Sequence, residues 1–135
     1  MKVVVGDSRL ENARAAAGIM NAAGYDVFPM EMDLSSRQSI KRLIAEGQKY
    51  GDITMLVNAA GVSPSQAPVE AILKVDLYGT AVLLEEVGAV IAPGGVGVTI
   101  SSQSGWRMPA LTAEEDELLA VVPAEELLAL DMLQP

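Results

Sequence analysis

Residues 53–61 read Ile-Thr-Met-Leu-Val-Asn-Ala-Ala-Gly, and this stretch decides the fold. Its first five residues form an apolar run that predicts a buried strand, and Asn58 follows that strand directly. The small side chains of Ala59 and Ala60 allow a backbone to approach a flat ring or a ribose closely, and Gly61 permits torsions closed to other residues. The segment therefore predicts either a ligand-contacting loop or an ordinary turn after a strand.

Outward from this stretch, strands and helices alternate along the chain. Apolar runs predict three more strands, at 3–5, 26–30 and 96–100, and apolar residues at helical spacing predict helices at 9–23, 35–50 and 69–91. Pro29 lacks a backbone donor, which favours an edge position for the second strand. The alternation predicts an α/β fold of parallel strands, joined by right-handed crossovers and covered by helices on both faces.

Polar side chains follow each of the four predicted strands. They are Asp7, Asp33, Asn58 and Ser102. Because ligands of parallel α/β sheets bind at the carboxyl ends of the strands, these residues predict one site at one edge of the sheet.

The chemistry of these side chains leaves alternatives open. An acid such as Asp7 can accept both hydroxyls of an adenosine ribose and repels a 2′-phosphate, which favours NAD over NADP. Arg9 could pair with a phosphate and weaken that preference. Asp7 and Asp33 are equally suited to a turn or a helix cap. Ser102 could donate a hydrogen bond to a substrate carbonyl, or simply end its strand.

Charge is distributed unevenly along the chain. There are 9 basic and 18 acidic residues, for a net charge of −9, and Arg107 is the last basic residue. Residues 1–107 are therefore almost neutral, and the remaining acidity lies in the tail. No basic surface for nucleic acid is predicted. The tail, with predicted helical pieces at 113–122 and 124–130, is expected to present a solvated helical face.

The residue types that are missing exclude several functions. The sequence has no Cys and no His, which excludes disulfides, thiol chemistry and a His-dependent triad, and argues against a metal site. No apolar run reaches the roughly 18 residues of a membrane span, and the apolar patch at the N-terminus is too short for a signal peptide. The sequence therefore predicts a cytoplasmic protein without membrane or nucleic-acid partners.

Several segments together resemble the short-chain dehydrogenase/reductase family, in the same order and spacing over about residues 2–109. Residues 56–61, Leu-Val-Asn-Ala-Ala-Gly, are similar to the family's Asn-Ala-Gly motif. Residues 98–105, Val-Thr-Ile-Ser-Ser-Gln-Ser-Gly, are similar to the strand that carries its catalytic serine. Residues 3–7 resemble the strand ending in its cofactor-selecting acid, and residues 75–80 resemble its long helix.

This resemblance implies an incomplete Rossmann-like three-layer parallel sheet at residues 1–109, which lacks the first, central strand and the C-terminal strands. Residues 110–135 resemble an insertion before the family's catalytic Tyr. The implied activity is that of an NAD(P)-dependent oxidoreductase acting on a hydroxyl or carbonyl substrate, with Ser102 polarising the carbonyl. The implied contacts with NAD, or with NADP, are Asp7, Arg9, Asp33, Leu34, Asn58, Ala59, Ala60 and Gly61.

Three features of the family are absent from the sequence: its Gly-rich turn, its Tyr-x-x-x-Lys pair, and its helix Asn, which is Asp76 here. Tyr78 is the last Tyr and Lys74 the last Lys. The Gly-rich turn supplies the pyrophosphate site, and the family's Tyr is the general acid/base. The chain alone is therefore expected to bind the cofactor weakly or not at all, and to be inactive.

In the family the missing first strand lies in the centre of the sheet. Its removal leaves a gap of about 10 Å, with unpaired backbone groups along both edges. A stable form is expected to close into one four-stranded sheet or to pair with another chain; otherwise the fragment is unstable. The alternative functions are a non-catalytic binding or assembly module, which self-associates through the helix 69–91, and a module that binds a nucleotide without chemistry.

Overall fold

The structure, a computed structural model, describes residues 1–134. Strands and helices alternate as the sequence predicts. The strands are β1 (Lys2–Asp7), β2 (Asp26–Glu31), β3 (Met55–Asn58) and β4 (Val96–Thr99). The α-helices are α1 (Leu10–Ala22), α2 (Arg37–Gln48), α3 (Val69–Ile72), α4 (Thr80–Gly88), α5 (Gln103–Arg107) and α6 (Ala113–Val121). The short helix α5 was not predicted.

The four strands form two separate parallel pairs. β1 pairs with β2 in the register Lys2↔Asp26 to Asp7↔Glu31, and β3 pairs with β4 from Met55↔Val96 to Asn58↔Thr99. Among residues 1–134, β2 pairs with β1 alone, in agreement with the edge position predicted from Pro29. The incomplete Rossmann-like α/β fold is confirmed.

Of the alternatives expected for the sheet, closure into four strands is wrong: within the described chain, β1 does not pair with β3. The physical reason is the position of the core, which lies between the two halves of the molecule. Its buried side chains come from the loop after β2 and from α2 on one side, and from α4 on the other: Met32, Leu34, Ile40, Ile44, Val82, Leu83 and Val87. Closing the sheet would require these packed helices to move together, so the side-chain packing holds the strands apart.

The helix predicted at 69–91 is a composite that ends at Gly88. A π-helical segment, Leu73–Gly79, lies between α3 and α4. Such wide turns are rare and occur where local packing demands them. Here Gly79 is fully packed against Leu34, and a Cβ added at Gly79 would lie 2.5 Å from the Leu34 carbonyl oxygen.

The C-terminal segment packs back on the body of the molecule. Thr112 and Glu115 form a reciprocal capping box at the start of α6. The piece predicted as helical at 124–130 is a 3₁₀ helix, Ala124–Ala129, followed by a second one, Asp131–Leu133. Leu127 is 4% exposed, so this segment adds to the core. In the part of the chain that the structure describes, no helix has the length and hydropathy to cross a bilayer.

Candidate functional site

Asp7 lies at the carboxyl end of β1. Its Oδ1 accepts hydrogen bonds from the Arg9 amide (2.8 Å) and from Asn12 Nδ2 (3.3 Å). These bonds form the turn into α1, so the structural role considered for Asp7 is realised. Its second carboxylate oxygen makes no hydrogen bond with residues 1–134 and can still accept one from a ligand.

Asp33 lies in the loop after β2, where its Oδ1 accepts hydrogen bonds from the Ser35 amide (2.9 Å) and hydroxyl (2.7 Å). The cap of α2 is Ser36, whose side chain accepts from the Ser39 amide, so Asp33 forms the turn and not the cap. Leu34 is 4% exposed and its side chain belongs to the core. A ligand at this place could meet the exposed Asp33 carboxylate and the backbone of Leu34.

Asn58 ends β3 and is 4% exposed. Its Nδ2 donates to Thr80 Oγ1 (3.3 Å), and its Oδ1 accepts from the Ala60 amide (3.3 Å). Both hydrogen bonds are internal, so the side chain fixes the loop 58–61. The exposed surface of that loop is formed by Ala59, Ala60 and Gly61.

The other end of this loop is held by the π-helical segment. Asp76 Oδ1 accepts a hydrogen bond from the Val62 amide (2.9 Å). A Cβ at Gly61 would lie 3.2 Å from the same oxygen, which explains the small residue there. Asp76, noted above as a departure from the family pattern, is therefore a loop-positioning residue.

Ser102 lies just beyond β4, is exposed, and caps α5 by accepting a hydrogen bond at Oγ from the Ser104 amide (3.1 Å). Because the hydroxyl is the acceptor in that bond, its O–H remains able to donate. The Ile100 amide donates to the Asn58 carbonyl (2.9 Å), so the segment leading to Ser102 runs beside the end of β3.

The structure thus brings the predicted residues together in two pairs. The Met32 amide donates to the Asp7 carbonyl (2.9 Å), which joins Asp7 to the segment before Asp33. Asn58 and Ser102 lie at the end of the other sheet. The loop after β2 contacts Gly79 and the loop after β3 contacts Asp76, both on the π-helical segment, so both pairs lie at one edge of the molecule.

A cluster of charges that sequence reasoning missed lies near this edge, centred on Arg37. Its guanidinium donates to the carboxylates of Glu85 (2.8 Å), Glu86 and Glu125 (2.7 Å). These carboxylates raise the pKa of Arg37, and Arg37 lowers the pKa of Glu125. The guanidinium is fully engaged and is not free to bind a phosphate.

Tyr78 belongs to the same cluster. Its hydroxyl donates to Glu125 (3.0 Å), and burial together with this carboxylate raises the pKa of the phenol. Tyr78 is therefore a protonated structural phenol, directed at Glu125. No sequence pattern indicated this cluster, because its members are separated by up to 88 positions along the chain.

The polar groups at the strand ends can be compared with those that a nicotinamide dinucleotide requires. The free oxygen of Asp7, the carboxylate of Asp33 and the small-residue loop 59–61 fit the adenosine half of such a cofactor. The described residues provide no glycine-rich helix N-terminus that would bind its pyrophosphate. The fit is therefore to half of the cofactor.

Parallel strands, crossover helices and polar residues at the strand ends define a Rossmann-like α/β protein. The comparisons refine this class. The family described as short chain dehydrogenase matches residues 1–113. The chain belongs to the short-chain dehydrogenase/reductase family, as the sequence motifs predicted.

Individual members of this family are similar in sequence or in fold to the chain. The chain is 32% identical over 107 residues to the short-chain dehydrogenase/reductase bsc3 of Alternaria brassicicola, covering 79% of this chain and 39% of the relative. It is 32% identical over 97 residues to carbonyl reductase (NADPH) 1 of Bos taurus, covering 66% of this chain and 35% of the relative. A short chain dehydrogenase of Burkholderia cenocepacia, solved in complex with NADP, has the same fold, with TM-score 0.65, 19% identity, and coverage of 87% of this chain and 51% of that one. The chain thus spans less than half the length of these two curated relatives.

Proposed function

We propose that this chain carries part of the site of an NAD(P)-dependent oxidoreductase that acts on a hydroxyl or carbonyl group, and that the 135 residues alone do not catalyse the reaction. The observation that supports this most directly is the placement of Ser102. In a chain of the dehydrogenase family, the segment that leads to Ser102 runs beside the end of β3, where Asn58 fixes the loop 58–61, and the Ser102 O–H is free to donate.

Ser102 is the proposed catalytic residue. A hydroxyl that donates to a carbonyl oxygen stabilises the negative charge that develops there when the carbon is reduced. The bond from the Ser104 amide holds Ser102 Oγ in place and leaves its proton for the substrate. No metal ion enters this proposal, and the described chain contains no group of three or more His, Cys, Asp or Glu residues that could hold one.

A nicotinamide dinucleotide would supply the hydride. Its adenosine half would contact Asp7, Asp33 and the backbone of Leu34 on one side and the loop 58–61 on the other. Asp7 favours NAD, because its carboxylate would repel a 2′-phosphate, whereas Arg9 is the cation that could admit NADP. With the pyrophosphate site lacking, binding by this chain alone is expected to be weak.

The proposed inactivity follows from the proton that the reaction needs. The chain has no His, and the hydroxyl of its last Tyr, Tyr78, donates to Glu125. No other group at the strand ends replaces the family's acid/base, whose loss costs about 10²–10⁴ in rate.

The test is to incubate the chain with NADH or NADPH and a panel of ketones and aldehydes, and to follow the absorbance of the reduced nicotinamide. We expect no turnover; clear turnover would contradict the proposal. Binding can be followed separately through the one Trp, Trp106, which is 92% exposed and lies four residues after Ser102. NAD or AMP should change its fluorescence in the native chain and less in Asp7→Asn.

Self-association remains a prediction, as does the cytoplasmic location. The composite helix exposes Val69 and Leu84 to solvent by 69% and 48%, and Val90, just beyond its end, is 37% exposed. Light scattering across a range of protein concentrations tests association, and a mass that stays monomeric throughout would exclude it.

A further inference from the structure

A groove lies between α6 and the two 3₁₀ helices of the tail. Its volume is about 610 Å³, and pockets that bind ligands commonly measure about 300–1,000 Å³. Three acidic and three large apolar residues line it, all of them beyond residue 113, the last residue matched to the family: Glu114, Glu115, Leu118, Leu130, Asp131 and Met132. The groove is therefore separate from the strand ends that form the candidate site.

The wall formed by α6 combines acidic and apolar side chains on one helix face. Leu118 follows Glu114 by four positions and Glu115 by three, so the three side chains are neighbours. The capping box with Thr112 uses one carboxylate oxygen of Glu115, Oε2, and fixes the start of the helix. Glu114 takes part in none of the ion pairs within residues 1–134. This wall thus presents uncompensated negative charge beside an apolar side chain.

The opposite wall is anchored to the body of the molecule. Glu125 pairs with Arg37 and Leu127 is buried, which together hold the first 3₁₀ helix in place. Gln134 Nε2 donates to the Leu130 carbonyl (3.2 Å), so the second 3₁₀ helix is tied back to the residue that precedes it. A ligand in the groove would therefore meet a wall that is already ordered.

Apolar and acidic side chains of this second wall differ in depth. Leu130 and Met132 are half-buried, whereas Asp131, between them in the sequence, is exposed. Asp131, like Glu114, belongs to none of the ion pairs of the described chain. The groove is consequently apolar between its walls and carries a free carboxylate on each of them.

The helix α6 contributes little to the core of the molecule. None of its nine residues, all of which the structure describes, is buried. A helix of this length is marginal in water unless an apolar face is covered. Leu118 and Val121 are 43% and 72% exposed. A partner that covered Leu118 would therefore stabilise α6 as well as fill the groove.

We propose that this groove binds a basic amphipathic helix of another protein. The apolar stripe of such a helix would lie between Leu118 on one wall and Leu130 and Met132 on the other. Lysine or arginine residues on the two sides of the stripe would meet Glu114 and Asp131. Bases that flank an apolar stripe are the pattern that a basic amphipathic helix presents.

Charge complementarity favours this partner over other occupants. No Lys or Arg follows Arg107, and seven acidic residues lie between positions 114 and 131. This field attracts a basic segment and repels a second copy of the tail or a nucleic acid. A neutral apolar segment would cover the carboxylates of the groove without pairing them, which costs free energy. A helix with both apolar and basic residues avoids that cost.

The test uses the full chain and a synthetic helical peptide of about 18 residues, with leucines in one stripe and lysines elsewhere. The control peptide has the same composition in an order that distributes the leucines around the helix. Affinity is measured by calorimetry at neutral pH, and the site is located by NMR from the amide shifts of residues 113–133. The first peptide should bind at least about tenfold more tightly than the control, equivalent to about 1.4 kcal/mol. It should also slow amide exchange in α6.

Matched variants of the chain separate the apolar from the electrostatic contribution. Leu118→Ala should weaken binding of the first peptide about tenfold, and alanine preserves the helix. Leu84→Ala, at a leucine of α4 that is 48% exposed against 43% for Leu118, should leave the affinity unchanged. Glu114→Gln should weaken binding about two- to fivefold. Glu70→Gln, the same change at an exposed acid of α3, should have no effect.

Several results would overturn the proposal. Absence of binding would do so, and equal affinity for the two peptides would mean that charge alone attracts them. Equal weakening by Leu118→Ala and Leu84→Ala would place the peptide outside the groove. Amide shifts of residues 113–133 that depend on protein concentration without peptide would assign the groove to a second copy. None of these measurements depends on oxidoreductase activity, so they are independent of the proposed function.

Discussion

Replacing Gly79 by alanine perturbs the contact that joins the two halves of the molecule. Gly79 is buried at the end of the π-helical segment, directly against the backbone of Leu34. An added Cβ would lie 2.5 Å from the Leu34 carbonyl oxygen and 2.8 Å from its Cγ. Since real Cβ atoms do not approach a carbonyl oxygen so closely, either the helix or the loop after β2 must shift.

The expected cost follows from two opposing effects. Overpacking of this kind costs about 1–3 kcal/mol, whereas replacing a helical Gly by Ala gains about 1 kcal/mol. Gly88, at the end of α4, provides the matched control, since a Cβ there meets nothing within 4 Å. Gly88→Ala should gain helix stability from the added methyl group without the cost of overpacking. The two variants should therefore differ by about 1–3 kcal/mol in the free energy of unfolding.

Urea unfolding followed by circular dichroism measures this difference. Total stabilities are about 5–15 kcal/mol, so the shift in midpoint is readily detected. Gly79→Ala should also speed amide exchange in the loop 33–36, which the shift displaces. Equal midpoints for Gly79→Ala and Gly88→Ala would refute the reasoning, because they would mean that Gly79 and Leu34 are not in contact in solution.

Three further predictions concern the groups that hold loops and tail in place. Arg37→Gln should lower the free energy of unfolding by about 1–2 kcal/mol, because the Arg37 side chain is only 26% exposed and the three carboxylates around it would be left facing one another. Arg14→Gln makes the same charge change at an exposed arginine and should have little effect on the urea midpoint. Arg37 holds the pKa of Glu125 below its ordinary 4.5, so the contribution of Glu125 to docking the tail is complete above pH 4.5 and is lost as the pH falls through the lowered pKa. Proteolysis of the tail should therefore accelerate in that range, and the tail of Glu125→Gln should be cleaved readily at every pH. Asp76→Ala should cost about 1 kcal/mol and speed exchange of the Val62 amide, whereas Asp76→Asn, which keeps a carbonyl acceptor, should restore most of the protection.

The succession of strands and helices along the chain, and the polar residues after the strands, could be predicted from the sequence because both depend on local patterns. Apolar runs such as 53–57 specify strands regardless of their partners, and polar residues after them then lie at one edge. Whether the strands form one sheet depends on the packing of α2 against α4. No local pattern encodes that packing, and the closed sheet, one of the alternatives expected from the sequence, does not form.

The candidate site also combines features that a local sequence pattern can predict with features that depend on tertiary packing. Asp33 and Ser36 are both common caps, so composition alone could not decide which of them caps α2; the structure assigns the role to Ser36. The cluster around Arg37 brings together α2, α4 and the tail, and no spacing rule relates these segments. The capping box of Thr112 and Glu115, by contrast, was readable as a Thr-x-x-Glu pattern.

The separation of the two sheets has a mechanical consequence for any ligand of the strand ends. Along the described chain, no ladder of backbone hydrogen bonds crosses from β1 to β3, so side-chain packing and the ion pairs of Arg37 with Glu85 and Glu86 resist separation of the two halves. A molecule that contacted Asp7 on one half and Ser102 on the other would link the two halves and hold them together. Part of its binding energy would be consumed in restricting the relative movement of the two halves.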